Sequence, residues 1–328
     1  MTDATDAAHA ADADVGDAAR LVPAGLAERI RTYYPAGAAW LEELPRLIAT
    51  CARRWDLTLL PAFEPGGDSS WTAPVRLADG DLAVLQLTVP MPVTSDHLTA
   101  LKAWAGRGAV RLFAHDAAIG ATLMECCVPG THAEHLSPEA ADDVAVAVLP
   151  QLWSADVSGL PELPEPSGSD GLSGPDGLES LDIAATTRAR VVEGRAEQFG
   201  DVVDTGPFRE AARLFASLPA SSDRSVLLHG DFHRRNVVLS QRGWLAIDPL
   251  AMVGDPSYDA GLFLQHDMDG AVTPARVDAL ADRLELDREL TRKWLFALGV
   301  QGASWHLSIG DKATHDTIVA TALTLWTA

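Results

Sequence analysis

The amino-acid sequence predicts an α+β protein with two lobes, in which a small antiparallel sheet is followed by a larger, mainly helical part. Two observations support this prediction. Short apolar segments bounded by turn residues alternate over much of residues 57–127, whereas apolar residues recur with a helical period after Pro129-Gly130. The chain has 328 residues, of which 47% are hydrophobic, and this is enough for a large buried core.

The first lobe is expected over residues 21–125. Pro35 separates two runs of helical period between Pro23 and Trp55, and Pro-Gly-Gly at 65–67 and Asp-Gly at 79–80 are turn signals. The expected elements, in order, are the two helices, strands at 57–63, 71–77 and 82–89, a helix at 95–106, and strands at 109–114 and 121–127.

The second lobe is expected over residues 126–328 and is dominated by helices. Their expected positions are about 138–154, 178–200, 206–218, 274–286, 288–306 and 313–326. Two segments are not expected to fold. They are an Ala/Asp-rich tail at 1–20, predicted to be disordered, and a Pro/Gly/Ser-rich flexible insertion at 157–177.

The formal net charge of −21 excludes some classes of partner. An acidic protein repels nucleic acid and anionic membrane, so neither is expected, and its field suits a small polar substrate that carries positive charge. We predict a cytoplasmic protein, because there is no apolar run of about 18 residues and no signal peptide. Cys51, Cys126 and Cys127 show neither a metal-binding spacing nor a disulfide framework.

The most informative segment is 226–265, VLLHGDFHRRNVVLSQRGWLAIDPLAMVGDPSYDAGLFLQ. A buried strand delivers His229-Gly230-Asp231 to a loop, Asn236 follows five residues after Asp231, and a hairpin through Arg242-Gly243 leads to Asp248. Phosphoryl transfer requires a base near the acceptor hydroxyl and a divalent metal near the phosphates. An Asp, an Asn five residues later and an Asp after a hairpin follow the order of these groups in kinase-fold enzymes.

This segment resembles the aminoglycoside/hydroxyurea phosphotransferase family, which includes the streptomycin 6-kinases. RGWLAIDP followed by VGDPSYDAG is close to the pattern of that family. The resemblance extends to residues 66–87, 101–116 and the Trp-containing helix near 294–308. It implies a protein-kinase-like fold and a phosphotransferase that uses ATP or GTP with Mg²⁺.

The resemblance also implies roles for single residues. Asp231 is expected to be the catalytic base, Asn236 and Asp248 to hold magnesium, and His229 to shape the catalytic loop. Asp259 is expected to brace that loop at the start of a helix, near the substrate site.

Three residues of this segment have two interpretations each. Arg234 and Arg235 either contact substrate or transferred phosphate, since guanidinium groups match phosphate oxygens, or pair with one of the many acids. Asp255 either contacts an amino group of the substrate or binds the first amides of a helix.

The first lobe departs from the family at the nucleotide site. In kinase-like folds a lysine on the third strand and a glutamate on the next helix hold the phosphates, but here LAVLQL places Gln86 at the lysine position and the glutamate position falls on His97. Neither Lys102 nor Arg76 is a convincing replacement.

Other nucleotide contacts are expected on either side of that strand. Ser69 and Ser70 belong to a glycine-rich loop, Gly66-Gly67-Asp68-Ser69-Ser70, that would cover the phosphates and that carries an acid. In the family, a hinge segment meets the adenine edge, which places Glu125 and Cys126 at that contact.

Three functions follow. The first is a phosphotransferase that modifies a hydroxyl of an aminoglycoside-like or other polar natural product, for resistance or biosynthesis. The second is a relative with weakened nucleotide binding that acts as a ligand-binding protein or with different chemistry, since Gln86 cannot cancel phosphate charge. The third, a purely structural partner protein, is disfavoured because Asp231, Asn236 and Asp248 are all present.

Overall fold

The computed structural model of the chain describes residues 22–64, 66–90, 97–160 and 178–327. The tail predicted at 1–20 and most of the insertion predicted at 157–177 lie outside these ranges. Contacts divide the described residues into two compact units, one within Met1–Thr94 and Val110–Cys126 and the other within Ser95–Ala109 and Cys127–Ala328. Within the described ranges, no helix is long and apolar enough to cross a bilayer.

The first unit consists of two helices and a five-stranded sheet. The order of the strands in the sheet is β1-β2-β3-β5-β4, and every neighbouring pair is antiparallel. The elements are α1 (Ala24–Tyr33), α2 (Gly37–Trp55), β1 (Thr58–Leu59), β2 (Ser70–Arg76), β3 (Leu82–Thr88), β4 (Leu112–Asp116) and β5 (Ala121–Glu125).

One face of α2 and one face of the sheet form the core of this unit. The buried residues of α2 recur at helical spacing, and those of β2 and β3 alternate along each strand. They are Trp40, Leu44, Ile48 and Cys51 on α2, Trp71, Ala73 and Val75 on β2, and Ala83, Leu85 and Leu87 on β3, all at most 5% exposed. The apolar pattern of the sequence therefore predicted this core.

Strand β1 is shorter than the sequence predicts. Its ladder reaches Leu59 opposite Val75, and the next amide, that of Leu60, donates to the carbonyl of Pro74 at 3.2 Å. Pro74 has no N–H to return that bond, and Pro61 has none to offer at the next position, so the regular ladder stops, although the amide of Phe63 still donates to the carbonyl of Thr72 at 3.0 Å.

The second unit contains the remaining helices and two small sheets. Strands β6, β10 and β7 form one sheet in that order, with β10 parallel to β6 and antiparallel to β7, and β8 and β9 form a hairpin. The helices are α3 (His97–Trp104), α4 (Pro138–Trp153), α5 (Leu181–Phe199), α6 (Gly206–Ser217), α7 (Ser257–Gln265), α8 (Pro274–Arg283), α9 (Arg288–Ser308) and α10 (Lys312–Thr327). The strands are β6 (Glu179–Ser180), β7 (Val226–Leu228), β8 (Val237–Ser240), β9 (Gly243–Ala246) and β10 (Met252–Gly254).

Helix α3 packs with the second unit, although the predicted division at residue 125 placed it in the first. Trp104 is fully buried and its indole N–H donates to the carbonyl of Leu152 on α4 at 3.1 Å. Ala109 forms a parallel bridge with Ala246 at the end of β9, so the strand expected at 109–114 begins only at Leu112. Long-range contacts of this kind leave no local sequence signal.

A buried ion network joins α4, α8 and the end of α7. Arg276 binds both carboxylate oxygens of Asp142, at 2.9 and 2.6 Å, and its Nη2 lies 2.8 Å from Asp267. Arg234 also pairs with Asp267, and the side chains of these ion pairs are only 11–12% exposed. Removing one member of such a network leaves an uncompensated buried charge.

We predict that Arg276→Ala lowers the free energy of unfolding by about 3–5 kcal/mol, because Asp142 loses its bidentate partner. Urea unfolding at pH 7 measures this. Arg283→Ala is the matched control, since Arg283 pairs with Asp143 through side chains that are 43% and 72% exposed. Its loss is expected to cost at most about 1 kcal/mol. Equal effects of the two substitutions would contradict the role given to the buried network.

Candidate active site

The loop that follows β7 is held by one buried carboxylate. Asp259 on α7 accepts hydrogen bonds from the backbone amides of His229 and Gly230, each at 2.9 Å, and from the indole N–H of Trp153 at 3.1 Å. Burial raises the pKa of Asp259 to about 6, although these three donors act in the opposite direction. Asp259 therefore makes the contacts that the predicted bracing role requires.

Gly230 cannot be replaced without moving this loop. Its φ of 76° lies in the left-handed region, and a Cβ atom there would lie 1.9 Å from the carbonyl oxygen of Leu250. The close approach brings the loop against the segment between β9 and β10.

His229 connects the loop to the end of the hairpin. Its Nε2 lies 3.0 Å from the carbonyl oxygen of Ile247, and its Nδ1 accepts the backbone N–H of Asp231 at 3.3 Å. Nδ1 must therefore be unprotonated, and the ring is neutral with its proton on Nε2. Burial lowers the pKa of His229 to about 4, in agreement with a neutral ring that stacks on Trp104 at 6.1 Å.

Side-chain bonds join Asp231 to Asn236, and a backbone bond places the residue before Asp248 beside Asn236. The amide nitrogen of Asn236 donates to the backbone carbonyl of Asp231 at 3.0 Å and to its carboxylate at 2.9 Å. The backbone carbonyl of Asn236 accepts from Ile247 at 2.9 Å, one residue before Asp248. The side chain of Asp231 is 37% exposed and Asp248 is exposed, so neither carboxylate is sealed inside the protein.

The donor set of Asn236 and Asp248 fits magnesium. The bonds from Asn236 to Asp231 use the amide nitrogen, so the amide oxygen is the atom that can bind metal. Mg²⁺ prefers oxygen ligands and is commonly bound by one or two protein groups together with substrate phosphates. In the part of the chain that the structure describes, there is no group of three or more His, Cys, Asp or Glu side chains that could hold a metal. Magnesium binding by Asn236 and Asp248 stays a prediction.

Two histidines that the sequence analysis did not single out lie beside Asp231. His233 Nε2 is 3.4 Å from the carboxylate of Asp231, and the rings of His233 and His266 are 4.5 Å apart. Burial raises the pKa of Asp231, but the hydrogen bond and charge of His233, together with the charges of His229 and His266, lower it to a value below the ordinary one. Burial, and then the charge of His233, lowers the pKa of His266 to about 4. The position of His233, two residues after Asp231, could have predicted its contact with Asp231. His266 follows α7, and no nearby sequence pattern indicates that it lies beside His233.

Arg234 and Arg235 are both paired with acids. Arg234 is only 12% exposed and pairs with Asp267 inside the ion network, whereas Arg235 is 76% exposed and donates to Glu134 at 2.9 Å. Of their two interpretations, pairing with acids is the one that the structure shows. A phosphate contact stays a prediction, and Arg235 is the more accessible of the two.

Asp255 is 4% exposed and both of its carboxylate oxygens have donors. It accepts from the backbone of Ser257, the first residue of α7, at 3.1 Å and from the indole N–H of Trp294 at 2.8 Å. Burial raises its pKa, and these donors oppose the effect. These contacts match the helix-start interpretation, while a contact with a substrate amino group stays a prediction.

Three of the residues predicted to contact the nucleotide lie in or beside the loop that precedes β2. Gln86 on β3 is 8% exposed, and its amide nitrogen donates to the hydroxyl of Ser70 at 3.2 Å. The carbonyl of Ser69 accepts from the backbone of Val89 at 2.9 Å. A Cβ atom at Gly67 would lie 3.0 Å from the Ser70 hydroxyl, so the loop folds back closely on the start of β2. A contact of this loop with nucleotide phosphates stays a prediction.

The predicted adenine contacts lie at the end of β5. The backbone N–H of Glu125 donates to the carbonyl of Arg111 at 2.9 Å, and its carboxylate accepts from the backbone of Arg111 at 3.0 Å. Cys126 follows as a half-buried free thiol, and burial raises its pKa. Their adenine contact stays a prediction.

Comparison with known proteins identifies the family. A sequence model of the aminoglycoside/hydroxyurea antibiotic resistance kinases matches residues 54–310. Streptomycin 6-kinase from Streptomyces griseus is 33% identical over 311 residues, which cover 92% of this chain and 95% of the relative. Hydroxyurea phosphotransferase from Kitasatospora aureofaciens is also 33% identical over 311 residues, which cover 92% of this chain and 84% of the relative.

Solved structures agree on the fold. Choline kinase LicA from Streptococcus pneumoniae has a TM-score of 0.57 at 11% identity and covers 87% of this chain and 100% of its own. A thermostable mutant of aminoglycoside phosphotransferase APH(4)-Ia, in a ternary complex with ADP and hygromycin B, has a TM-score of 0.52 at 15% identity and covers 84% of this chain and 97% of its own.

The fold is therefore the kinase-like fold, and the class of protein is a phosphotransferase. The chain belongs to the aminoglycoside/hydroxyurea antibiotic resistance kinase family.

We predict that Asp259→Asn changes how stability depends on pH. The pKa of about 6 lies above the ordinary value of 3.8, so the folded state takes up a proton at a pH where the unfolded state does not. This contribution is present below about pH 4 and is lost as the pH rises through 6, a change on the order of 3 kcal/mol. Urea unfolding at pH 4.5, 6 and 7.5 should therefore show wild type gaining stability relative to the variant as the pH falls.

The exposed residue Asp223 provides the control for this experiment. Asp223→Asn should follow the wild-type pH profile. A difference between wild type and Asp259→Asn that stays constant over this pH range would contradict the raised pKa.

Proposed function

We propose that the chain transfers the γ-phosphoryl group of ATP or GTP, with Mg²⁺, to a hydroxyl of a small polar natural product. The observation that carries the proposal is the pair of bonds from Asn236 to Asp231, which fixes one carboxylate oxygen and aims the amide oxygen of Asn236 elsewhere. Family membership supports the same reaction.

Asp231 has the properties of a base for this reaction. Its lowered pKa keeps it ionised near neutral pH, and its carboxylate is partly exposed. The hydroxyl oxygen of the acceptor attacks the γ-phosphorus, the bond from that phosphorus to the nucleoside diphosphate breaks, and the hydroxyl proton passes to Asp231. Asp259 and His229 hold the backbone around Asp231 and thereby fix its position.

Asn236 and Asp248 are proposed to hold magnesium. When bound, the ion neutralises charge on the nucleotide phosphates. Asp248 follows β9 with a φ of 55°, in the left-handed region that aspartate adopts more readily than most residues.

We infer that the acceptor is an aminoglycoside-like or related polar compound that carries positive charge. The net charge of −21 favours a cationic molecule over an anionic one. Two relatives that are 33% and 32% identical to this chain are streptomycin 6-kinases, and a third is a hydroxyurea phosphotransferase. To test the acceptor class, the protein is incubated with streptomycin, with other aminoglycosides and with hydroxyurea, and ³¹P NMR detects the phosphorylated products.

A second function is supported by Gln86. This neutral side chain occupies the strand position of the expected lysine and is bonded to Ser70. A protein without that cation can retain acceptor binding while its nucleotide affinity falls, and it would then act as a ligand-binding protein. Calorimetry with Mg²⁺ and ATP or GTP separates the two functions, since a lack of nucleotide binding by the wild type would favour the second.

We predict that Asp231→Asn lowers kcat by about 10²–10⁴-fold, because an amide cannot accept the hydroxyl proton. Nucleotide affinity should stay within about twofold, because the substitution leaves the first unit and the predicted metal ligands unchanged. A phosphate-release assay and calorimetry measure the two quantities. Asp223→Asn, which removes an exposed acid outside the site, is the control. An Asp231→Asn enzyme with wild-type kcat would exclude Asp231 as the base.

We also predict that Asp248→Asn raises the Mg²⁺ concentration for half-maximal activity by about tenfold or more, because one carboxylate ligand is lost. Titration of activity with Mg²⁺ at saturating nucleotide measures the effect. Asn236→Ala, titrated with Mg²⁺ in the same way, should also require a higher Mg²⁺ concentration. An unchanged Mg²⁺ requirement in both variants would remove these residues from the metal site.

A further inference from the structure

Helix α1 holds the glycine-rich loop at 66–70 through Arg29. The guanidinium Nη2 of Arg29 donates to the backbone carbonyls of Gly66 at 3.0 Å and Gly67 at 2.9 Å. Its Nε lies 3.4 Å from the carboxylate of Asp68. One side chain therefore contacts three consecutive residues of the loop.

Apolar contacts bring the same helix against the loop. Leu26 is fully buried, and a Cβ atom at Gly66 would lie 3.2 Å from its Cβ and 3.6 Å from Cγ of Pro23. Gly66 has a φ of 82°, which glycine adopts without strain. The backbone of the loop thus passes directly over the first turn of α1.

Gln86 holds the other end of this loop through Ser70, and the turn is tight enough to bring Gly67 and Ser70 together. Arg29, through Gly66, and Gln86, through Ser70, therefore contact opposite ends of the five-residue loop. The loop is built from both sides by contacts within the first unit.

The charges at the loop determine what it can bind. The side chain of Asp68 is 94% exposed, and an exposed carboxylate on this loop repels phosphate. Arg29 lies beside it and brings the local sum of the two charges to zero. Gln86 contributes no charge. Among the side chains described above as contacting the glycine-rich loop, Arg29 is therefore the one with positive charge.

We propose that Arg29 is a positioning residue of the nucleotide site, which orders the glycine-rich loop and offsets the charge of Asp68 so that the loop accepts phosphates. This proposal rests on the proposed function, since it assumes that the chain binds a nucleotide. It assigns a role to a helix that lies before residues 54–310, the part of the chain that matches the family.

The experiment uses the full-length protein and two variants with opposite expected effects. Arg29→Met keeps the length of the side chain but removes its charge and donors, so the dissociation constant for Mg²⁺–ATP should rise by roughly tenfold. Asp68→Asn removes the exposed acid and leaves Arg29 in place, so the dissociation constant should fall by about two- to fivefold, less at high salt. Calorimetry measures both constants.

Hydrogen exchange without nucleotide provides a second measurement. Amides in peptides that cover residues 66–70 should exchange faster in Arg29→Met than in wild type. Arg31→Ala, an exposed position on the same helix, is the matched control and should change neither the affinity nor the exchange.

The outcomes separate this proposal from the proposed function. A wild-type protein that binds no nucleotide would overturn both. A wild type that binds nucleotide, with Arg29→Met binding it equally well, would overturn the role of Arg29 alone, whatever the exchange rates show. If Arg29→Met does not fold, the highly exposed Asp68 still permits the test, and an Asp68→Asn protein with unchanged or weaker binding would overturn the proposal.

Discussion

The loop that follows β7 depends on one buried carboxylate, that of Asp259. Asp259 receives the amides of His229 and Gly230 and the indole of Trp153, and these three donors replace the water that burial removes. These bonds also position the neighbouring residues. Because the backbone of His229 is held by Asp259, its ring lies within hydrogen-bond distance of the carbonyl of Ile247. This contact connects the loop to the residue that precedes Asp248.

The distribution of charge is the second constraint on this protein. Acids outnumber bases by 21, so an arginine near the loop readily finds a carboxylate. Arg234 pairs with Asp267 and Arg235 with Glu134, although both lie in the motif that contains Asp231. Arg29 likewise pairs with Asp68, but two backbone carbonyls also hold it in place.

Local patterns in the sequence predicted the helices, most strands and the motif that contains Asp231, Asn236 and Asp248. These features depend on apolar periodicity and turn residues, which are readable over about ten residues. Partners distant in the chain were not predicted. The pairing of β6 with β10, the contact of His266 with His233 and the network around Arg276 join residues separated by many positions.

Proline and tertiary packing account for the differences in the elements themselves. Strand β1 ends early because Pro74 on the neighbouring strand cannot donate a hydrogen bond. The sequence shows the proline, but only the strand register shows that it lies opposite the end of β1. The packing of α3 with the second unit was not visible, because Trp104 has the same local pattern whichever core it enters.

The position of α3 bears on how the chain can be divided for separate expression. Residues 95–109 belong to the second unit but precede strands β4 and β5 of the first, so the polypeptide crosses between the units more than once. A recombinant fragment that starts at residue 127 would lack the Trp104 ring that stacks on His229 and the carbonyls of Gly106 and Ala109 that bind Arg242. The second unit is thus discontinuous along the chain, and no single fragment contains all of it without strands of the first unit.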